Sequence, residues 1–173
     1  MALGKNYERQ DCSFARALEL LGERWTLLLV RDAFYGVRRY ADFLAHLDIP
    51  RAVLAERLRT LTEAGVLSRH RYSDSPPRDE YLLTDRGREL WSVFYPLVQW
   101  GERHLSTAGP RRLFAHAACD ELLDPTGACR RCGRLAPPEE VEVRPGPGDQ
   151  SDLRDDPVTE ALRRPHRLLE PLL

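Results

Sequence analysis

Lysine is nearly missing from this 173-residue chain: Lys5 is the only one, so almost every cation is Arg. With Ala, Leu and Pro also abundant, that bias reflects GC-rich coding more than function. No run approaches the roughly 20 apolar residues that span a bilayer. The opening MALGKNYERQ has no hydrophobic stretch of a secretory leader. A cytoplasmic protein without a membrane partner is therefore expected. Catalytic signatures are lacking as well: there is no GxSxG, phosphate loop, HExxH or dinucleotide fingerprint, and no enzyme is expected. Internal repeats are absent too. The four cysteines, in such a setting, suit thiols, metal ligands or redox groups better than structural disulfides.

The length suffices for one ordinary domain plus an appendage. The formal net charge of −1 conceals two unlike regions. Residues 139–160 hold eight acidic side chains against Arg144 and Arg154, a local balance of −6. Residues 49–71 hold Arg51, Arg57, Arg59, Arg69 and Arg71 against Glu56 and Glu63, a local balance of +3. Where the charge lies matters more than its total.

Apolar spacing predicts four helices in the first 65 residues. CSFARALELLG places Phe14, Ala17, Leu18 and Leu21 at helical intervals, with Gly22 expected to close the helix in a left-handed conformation. WTLLLVRDAFYG stops at Gly36, and RRYADFLAHL carries Tyr40, Phe43, Leu44 and Leu47 on one face. After Asp48-Ile49-Pro50, RAVLAERLRTLTEAG carries a core stripe of Leu54, Leu58 and Leu61. Two short helices joined by a tight turn make a helix-turn-helix. VLSRHRY and DEYLLT then read as strands of a hairpin whose tip, SDSPPR, cannot pair centrally, which makes a wing. Thr84 caps a long helix over 85–106 with Pro96 inside. Apolar residues occupy most of its circumference, so a second subunit is the simplest cover. Leu90, Trp91, Phe94, Leu97, Val98 and Leu105 are the candidate dimer contacts.

At 100° per residue, Ala52, Glu56 and Arg59 lie opposite the Leu stripe of the fourth helix, Ala55 lies to one side, and Arg51 stands at its amino end. Arg can donate twice to guanine and Glu can accept from cytosine, so these five suit a major groove. Arg69, Arg71 and Arg78 on the hairpin suit phosphates or a minor groove. The bland alternative is a solvated helix with exposed Arg; motif and wing together favour double-stranded DNA.

Residues 12 to about 107 resemble the HxlR family of bacterial winged-helix, MarR-like transcription regulators. The stretches that carry the likeness are CSFARALELLGERWTLLLVRDAFYGVRRYADFLAHL, IPRAVLAERLRTLTEAGVL, RHRYSDSPPRDEYLLT and DRGREL. The resemblance implies a homodimer built from the terminal helices, bound to a roughly palindromic operator. It also places Cys12, just before the first helix, where some members carry a redox-sensing cysteine. A helix dipole stabilises a thiolate there, and Arg9 and Arg16 stand nearby; the alternative is a small apolar residue that packs the helix entry.

The remaining cysteines form His116-x2-Cys119-x9-Cys129-x2-Cys132-Gly133, a spacing that can place three thiolates and an imidazole around structural zinc. Free thiols and a Cys129–Cys132 redox pair are the alternatives. The position after Cys119, where a Cys-bearing extension usually has Gly, is Asp120. A rival reading, a sensor whose small aromatic ligand controls DNA contact, uses Trp25, Phe34, Tyr35, Phe94, Tyr95 and Trp100 as pocket lining. The expected architecture is mainly α with a small β-hairpin wing. Residues 1–108 form the winged helix-turn-helix and long dimerisation helix, 109–138 a small Cys/His extension, and 139–173 an acidic, Pro/Gly-rich, flexible tail.

Overall fold

A computed structural model describes residues 7, 9–150 and 153–173; the first six residues and residue 8 of the expected domain, and residues 151–152 of the expected tail, lie outside the described residues. Helices α1 (Ser13–Leu21), α2 (Thr26–Phe34), α3 (Tyr40–Leu47) and α4 (Arg51–Glu63) come first, and strands β1 (Leu67–Asp74) and β2 (Pro77–Leu83) form the antiparallel wing. Helix α5 (Asp85–Glu89) and helix α6 (Trp91–Leu105) follow. The single long helix expected over 85–106 is thus two, broken at Leu90. Thr84 caps the first of them: its hydroxyl accepts from Gly87 N–H at 3.1 Å and donates to the Gly65 carbonyl at 2.6 Å. One bond starts the helix and the other ties it to the end of α4.

The core of this unit follows the apolar spacing. Leu54, Leu58 and Leu61 are buried on one face of α4, beneath Phe34, Phe43, Leu47 and Val66. Burial of such side chains contributes about 2 kcal/mol each. Helix α1 departs from expectation: Phe14 is 70% exposed, and Gly22 is right-handed with φ −76°. Its N–H still reaches the Leu18 carbonyl at 2.7 Å, so the helix ends on an ordinary turn.

The largest departure lies beyond residue 108. Strands β3 (Arg112–His116), β4 (Glu121–Leu122), β5 (Val141–Pro145) and β6 (His166–Arg167) form an antiparallel sheet in the order β4-β3-β5-β6, and helix α7 (Pro157–Ala161) packs on α3. The segment 139–173, expected as a flexible tail, therefore supplies two strands and a helix. Its acidic and Pro/Gly composition masked an alternation in Val141-Glu142-Val143-Arg144, where the valines are buried and Arg144 pairs outside with Glu142 and Asp120. Val158, Leu162 and Leu168 are buried as well.

The extension is joined to the winged unit by backbone bonds. Leu169 N–H donates to the Phe34 carbonyl at 2.8 Å, and Leu172 N–H to the Gly36 carbonyl at 3.1 Å. Gly36, at φ +86°, is required here: a Cβ would stand 1.8 Å from the Glu170 carbonyl oxygen. Trp91 Nε1–H donates to the Ala136 carbonyl at 3.1 Å and Tyr95 Oη–H to the Asp124 carbonyl at 2.8 Å, which clamps α6 to the cysteine-bearing segment. Among the described residues, no helix is long and apolar enough to cross a membrane.

Candidate nucleic-acid interface and cysteine centre

The turn between α3 and α4 is made by Asp48, at φ 51°, and the buried Ile49, with Pro50 at the cap of α4. Tyr40 Oη–H donates to the Arg51 carbonyl at 2.9 Å, so α3 holds the amino end of α4 in place. With the Leu stripe buried, Arg51, Ala52, Ala55, Glu56 and Arg59 are all exposed, as the helical arithmetic requires. Arg59 is held by Glu63 at 2.8 Å and faces Glu56 at 3.8 Å. The Arg51 guanidinium has no hydrogen bond or ion pair among the described residues.

On the wing, Arg69 and Arg71 both grip Asp79 from across the hairpin, Arg71 at 2.8 Å. Hydrogen bonds from Arg71 and Arg69 hold the Asp79 carboxyl below its ordinary range. Arg78, nearer the tip, is exposed with no such partner among the described residues. Sequence spacing alone does not reveal Asp79 as the neutralising group. Nor does it reveal Tyr72, exposed with the Arg39 guanidinium over its ring at 5.1 Å.

Of the six expected pocket residues, Tyr35 and Phe94 border a cleft between α2 and α6, and the other four do not line it. Phe34, Phe94 and Tyr95 pack with Trp91 and Phe114 in one filled cluster, with ring centroids 5.3–6.0 Å apart. Tyr35 is also buried, Trp25 is half-buried against the core, and Trp100 is 52% exposed. Five rings from α2, α6 and β3 fill this space with one another. The candidate dimer contacts divide in a similar way. Trp91 and Phe94 belong to the chain's own core, Leu90 and Val98 are half-buried against it, and Leu97 and Leu105 are exposed. Opposite the core face, α6 presents Val93, Leu97, Trp100 and His104 as one stripe, with the Trp100 and His104 rings 5.3 Å apart. Val93 and Trp100 are absent from the expected set because a helix apolar on both sides does not disclose which side faces inward.

Cys12 is exposed and stands at the N-cap of α1 without a side-chain cap bond. Arg16, expected to assist it, is instead bonded to Glu19 and to the Tyr7 and Gln10 carbonyls.

The other three cysteines meet His116, and the four ligand atoms all lie within 4.8 Å of one another. His116 Nδ1 is 3.1 Å from Cys119 Sγ and 3.6 Å from Cys132 Sγ. Its Nε2 faces Glu140 Oε2 at 3.1 Å, so the ring is oriented by a carboxylate behind it, as metal-ligating imidazoles usually are. Burial pushes the Cys129 thiol up, but the N–H groups of Cys132 and Arg131, with His116, more than offset it and bring it down to about 6. Burial, then the neighbouring Cys132 and Cys129, pushes Cys119 up to about 11. Gly133, at φ +72°, donates its N–H to the Cys129 carbonyl at 2.8 Å and closes the knuckle. Asp120 adopts φ 51°, the left-handed backbone that a Gly would supply, so its identity does not spoil the loop. Three thiols and an imidazole are a donor set that suits a tetrahedral metal, and their gathering within 4.8 Å is compatible with one.

Comparison with known proteins gives a consistent result. The model of the HxlR-like helix-turn-helix family matches residues 20–108. Rv3095 of Mycobacterium tuberculosis, an uncharacterized HTH-type transcriptional regulator, is 45% identical over 82% of this chain and 90% of its own length. YdeP of Bacillus subtilis, likewise an uncharacterized HTH-type transcriptional regulator, is 32% identical over 59% of this chain and 83% of its own. The crystal structure of PA1607 superposes with a TM-score of 0.55 at 33% identity, covering 82% of this chain and 89% of that one. The redox regulator HypR in its oxidized form gives a TM-score of 0.50 at 30% identity, over 54% of this chain and 97% of its own.

Proposed function

The chain belongs to the HxlR-like helix-turn-helix family, and from that membership we propose that it acts as a homodimer on a roughly palindromic operator. It is a transcriptional regulator with a helix-turn-helix DNA-binding fold, as its relatives are, and not an enzyme. The observation that carries the finer reading is the face of α4. Arg51, Ala52, Ala55, Glu56 and Arg59 share one solvent-facing side, with small residues where bases must approach closely. Arg69, Arg71 and Arg78 then bear on phosphates beside the wing, and affinity falls steeply as salt rises.

The exposed stripe of α6 supports the dimer, since so much aromatic and aliphatic surface on one helix face marks an interaction site. Two copies related by a two-fold axis set their α4 helices in successive major grooves, about 34 Å apart. Capture of the DNA that the protein retains from its own genome, followed by footprinting, tests the reading: a two-fold site is expected, and uniform protection of random DNA would overturn it. Trp100→Asp is expected to yield a monomer by sedimentation, with operator affinity lowered at least about tenfold because each half-site then binds alone. A Trp100→Asp protein that stays dimeric would remove α6 from the interface.

Cys12 supports a response to thiol oxidation, because it is exposed beside a helix start and a structural relative is the redox regulator HypR. Mild oxidant is expected to change operator affinity in the intact protein and not in Cys12→Ser; an equal change in both would exclude this residue. His116, Cys119, Cys129 and Cys132 hold a structural zinc ion in our reading. Four protein ligands leave no open position for catalysis. The zinc fixes the extension as a rigid clamp on α6.

A further inference from the structure

A groove of about 570 Å³ runs between the start of α3 and the wing. Arg39, at the cap of α3, and Tyr40 wall one side, and Tyr72, Arg78 and Tyr81 wall the other. The two sides are tied through their backbones: Arg39 bridges to Glu80 of β2, and Tyr81 N–H donates to the Arg38 carbonyl at 2.8 Å. The groove also joins the two surfaces proposed to meet DNA. Tyr40 holds the Arg51 carbonyl at the entering end of α4, and Arg78 stands on the wing. The first helix of a helix-turn-helix crosses the sugar-phosphate backbone, so a duplex seated on both surfaces would run one strand along this groove.

Arg39 is held there without being neutralised. Its guanidinium lies over the Tyr72 ring at 5.1 Å, and the exposed side chain makes no hydrogen bond or ion pair among the described residues. A cation resting on a ring face spends none of its donors, so all five N–H groups stay available. Burial pushes the carboxyl of Asp42, on the same helix, up, and Arg39 draws it only part of the way back, without an ion pair. Asp79, the other acid in the groove, is already gripped by Arg69 and Arg71. Tyr72 owes its place to an irregularity in the hairpin. The register of β1 against β2 shifts between Arg71 and Ser73, which leaves Tyr72 without a partner across the ladder. A bulge of this kind re-aims a side chain, and this one puts a 42% exposed ring under a free cation.

We propose that Arg39 is a DNA phosphate contact between the reading helix and the wing, and that Tyr72 is its positioning residue. The proposal rests on the DNA-binding reading and adds to that interface two residues outside α4 and outside the Arg set of the wing. A phosphate fits better than a base edge because Arg39 belongs to α3, the helix that crosses the backbone, and because two phosphate oxygens match the guanidinium fork. Tyr72 acts before DNA arrives. A free Arg loses much rotamer entropy when it is pinned to a ligand, and a guanidinium already seated on a ring has less to lose.

The test is a gel shift of the full chain on the captured operator and on a scrambled duplex, at several salt concentrations, with thermal melts alongside. Arg39→Ala is expected to weaken both duplexes about tenfold or more, and to make the slope of log affinity against log salt shallower by about 1.8, since a homodimer loses two phosphate contacts. Tyr72→Ala is expected to weaken both about three- to tenfold with the salt slope kept, because the charge stays while its seat is lost. Tyr72→Phe retains the ring and is expected to match the wild type. A mere brace for the wing would show as a lowered Tm with the salt slope of Arg39→Ala unchanged, and would overturn the proposal. So would undiminished binding by Arg39→Ala, or a loss confined to the captured operator, which marks a base contact. Equal losses in Tyr72→Phe and Tyr72→Ala would remove the ring as the seat. Failure of the wild type to bind either duplex would count against the operator reading itself, and this contact would fall with it.

Discussion

Arg51→Ala is expected to weaken operator binding roughly 30-fold or more, with most of the discrimination between bases lost. A bidentate contact to guanine is worth about 1–3 kcal/mol, and a homodimer loses it twice. Arg51 is the sharpest choice because it stands at the entering end of α4 and has no competing acid among the described residues. Arg59 must first leave Glu63 and Glu56, so Arg59→Ala is expected to cost less while still relaxing sequence preference. Arg71→Ala is expected to work differently: it removes a proposed phosphate contact, from a guanidinium already drawn towards Asp79, so all sequences should weaken evenly and the salt dependence become shallower. Gel shifts at two salt concentrations, with the captured operator and a scrambled one, separate the three. Undiminished binding by both Arg51→Ala and Arg59→Ala would remove α4 as the reading helix.

Removal of the proposed zinc is expected to have the largest effect on stability. Cys129→Ser takes away a buried candidate ligand whose thiol is already drawn towards thiolate, and is expected to open the clamp that holds Trp91 and Tyr95. Loss of a structural metal site removes folding free energy outright. Since β3, β5 and α7 also hold the extension by apolar contacts, a loss of about 4 kcal/mol is expected, or roughly 10 °C in Tm for a chain of this size. Elemental analysis should find one zinc per intact chain and none in Cys129→Ser, with Cys12→Ser unchanged as the control. Release of Trp91 from Ala136 should appear as a change in tryptophan emission on chelation. Intact protein without zinc, and with a Tm indifferent to chelator, would leave the four residues as a thiol cluster.

The helix-turn-helix was legible because local spacing decided it. Leu54, Leu58 and Leu61 recur with the helical period, and once they are buried the exposed set follows by geometry. The wing was legible because Pro76 and Pro77 interrupt two short runs of strand composition. The metal-ligand spacing was visible too, but Glu140, which orients His116, lies 24 residues away among other acids and carries no local signal. The order in residues 139–173 escaped because composition speaks for an isolated segment, whereas Val141, Val143, Val158, Leu162 and Leu168 gain order only against a surface already built by others. Trp100 was misplaced for a related reason. An aromatic residue in a small protein is as consistent with core as with surface until its neighbours are known, and here Trp91 and Tyr95 had filled the inner face.

The bonds from Leu169 to Phe34 and from Leu172 to Gly36 also set an order of events during synthesis. The ribosome finishes α2 more than a hundred residues before it makes the segment that caps it, an interval of several seconds at about 5–20 residues per second. Through that interval the carbonyls of Phe34 and Gly36 await their late partners. A chain cut before Leu169 would keep the buried Leu stripe of α4 but leave the end of α2 unsealed.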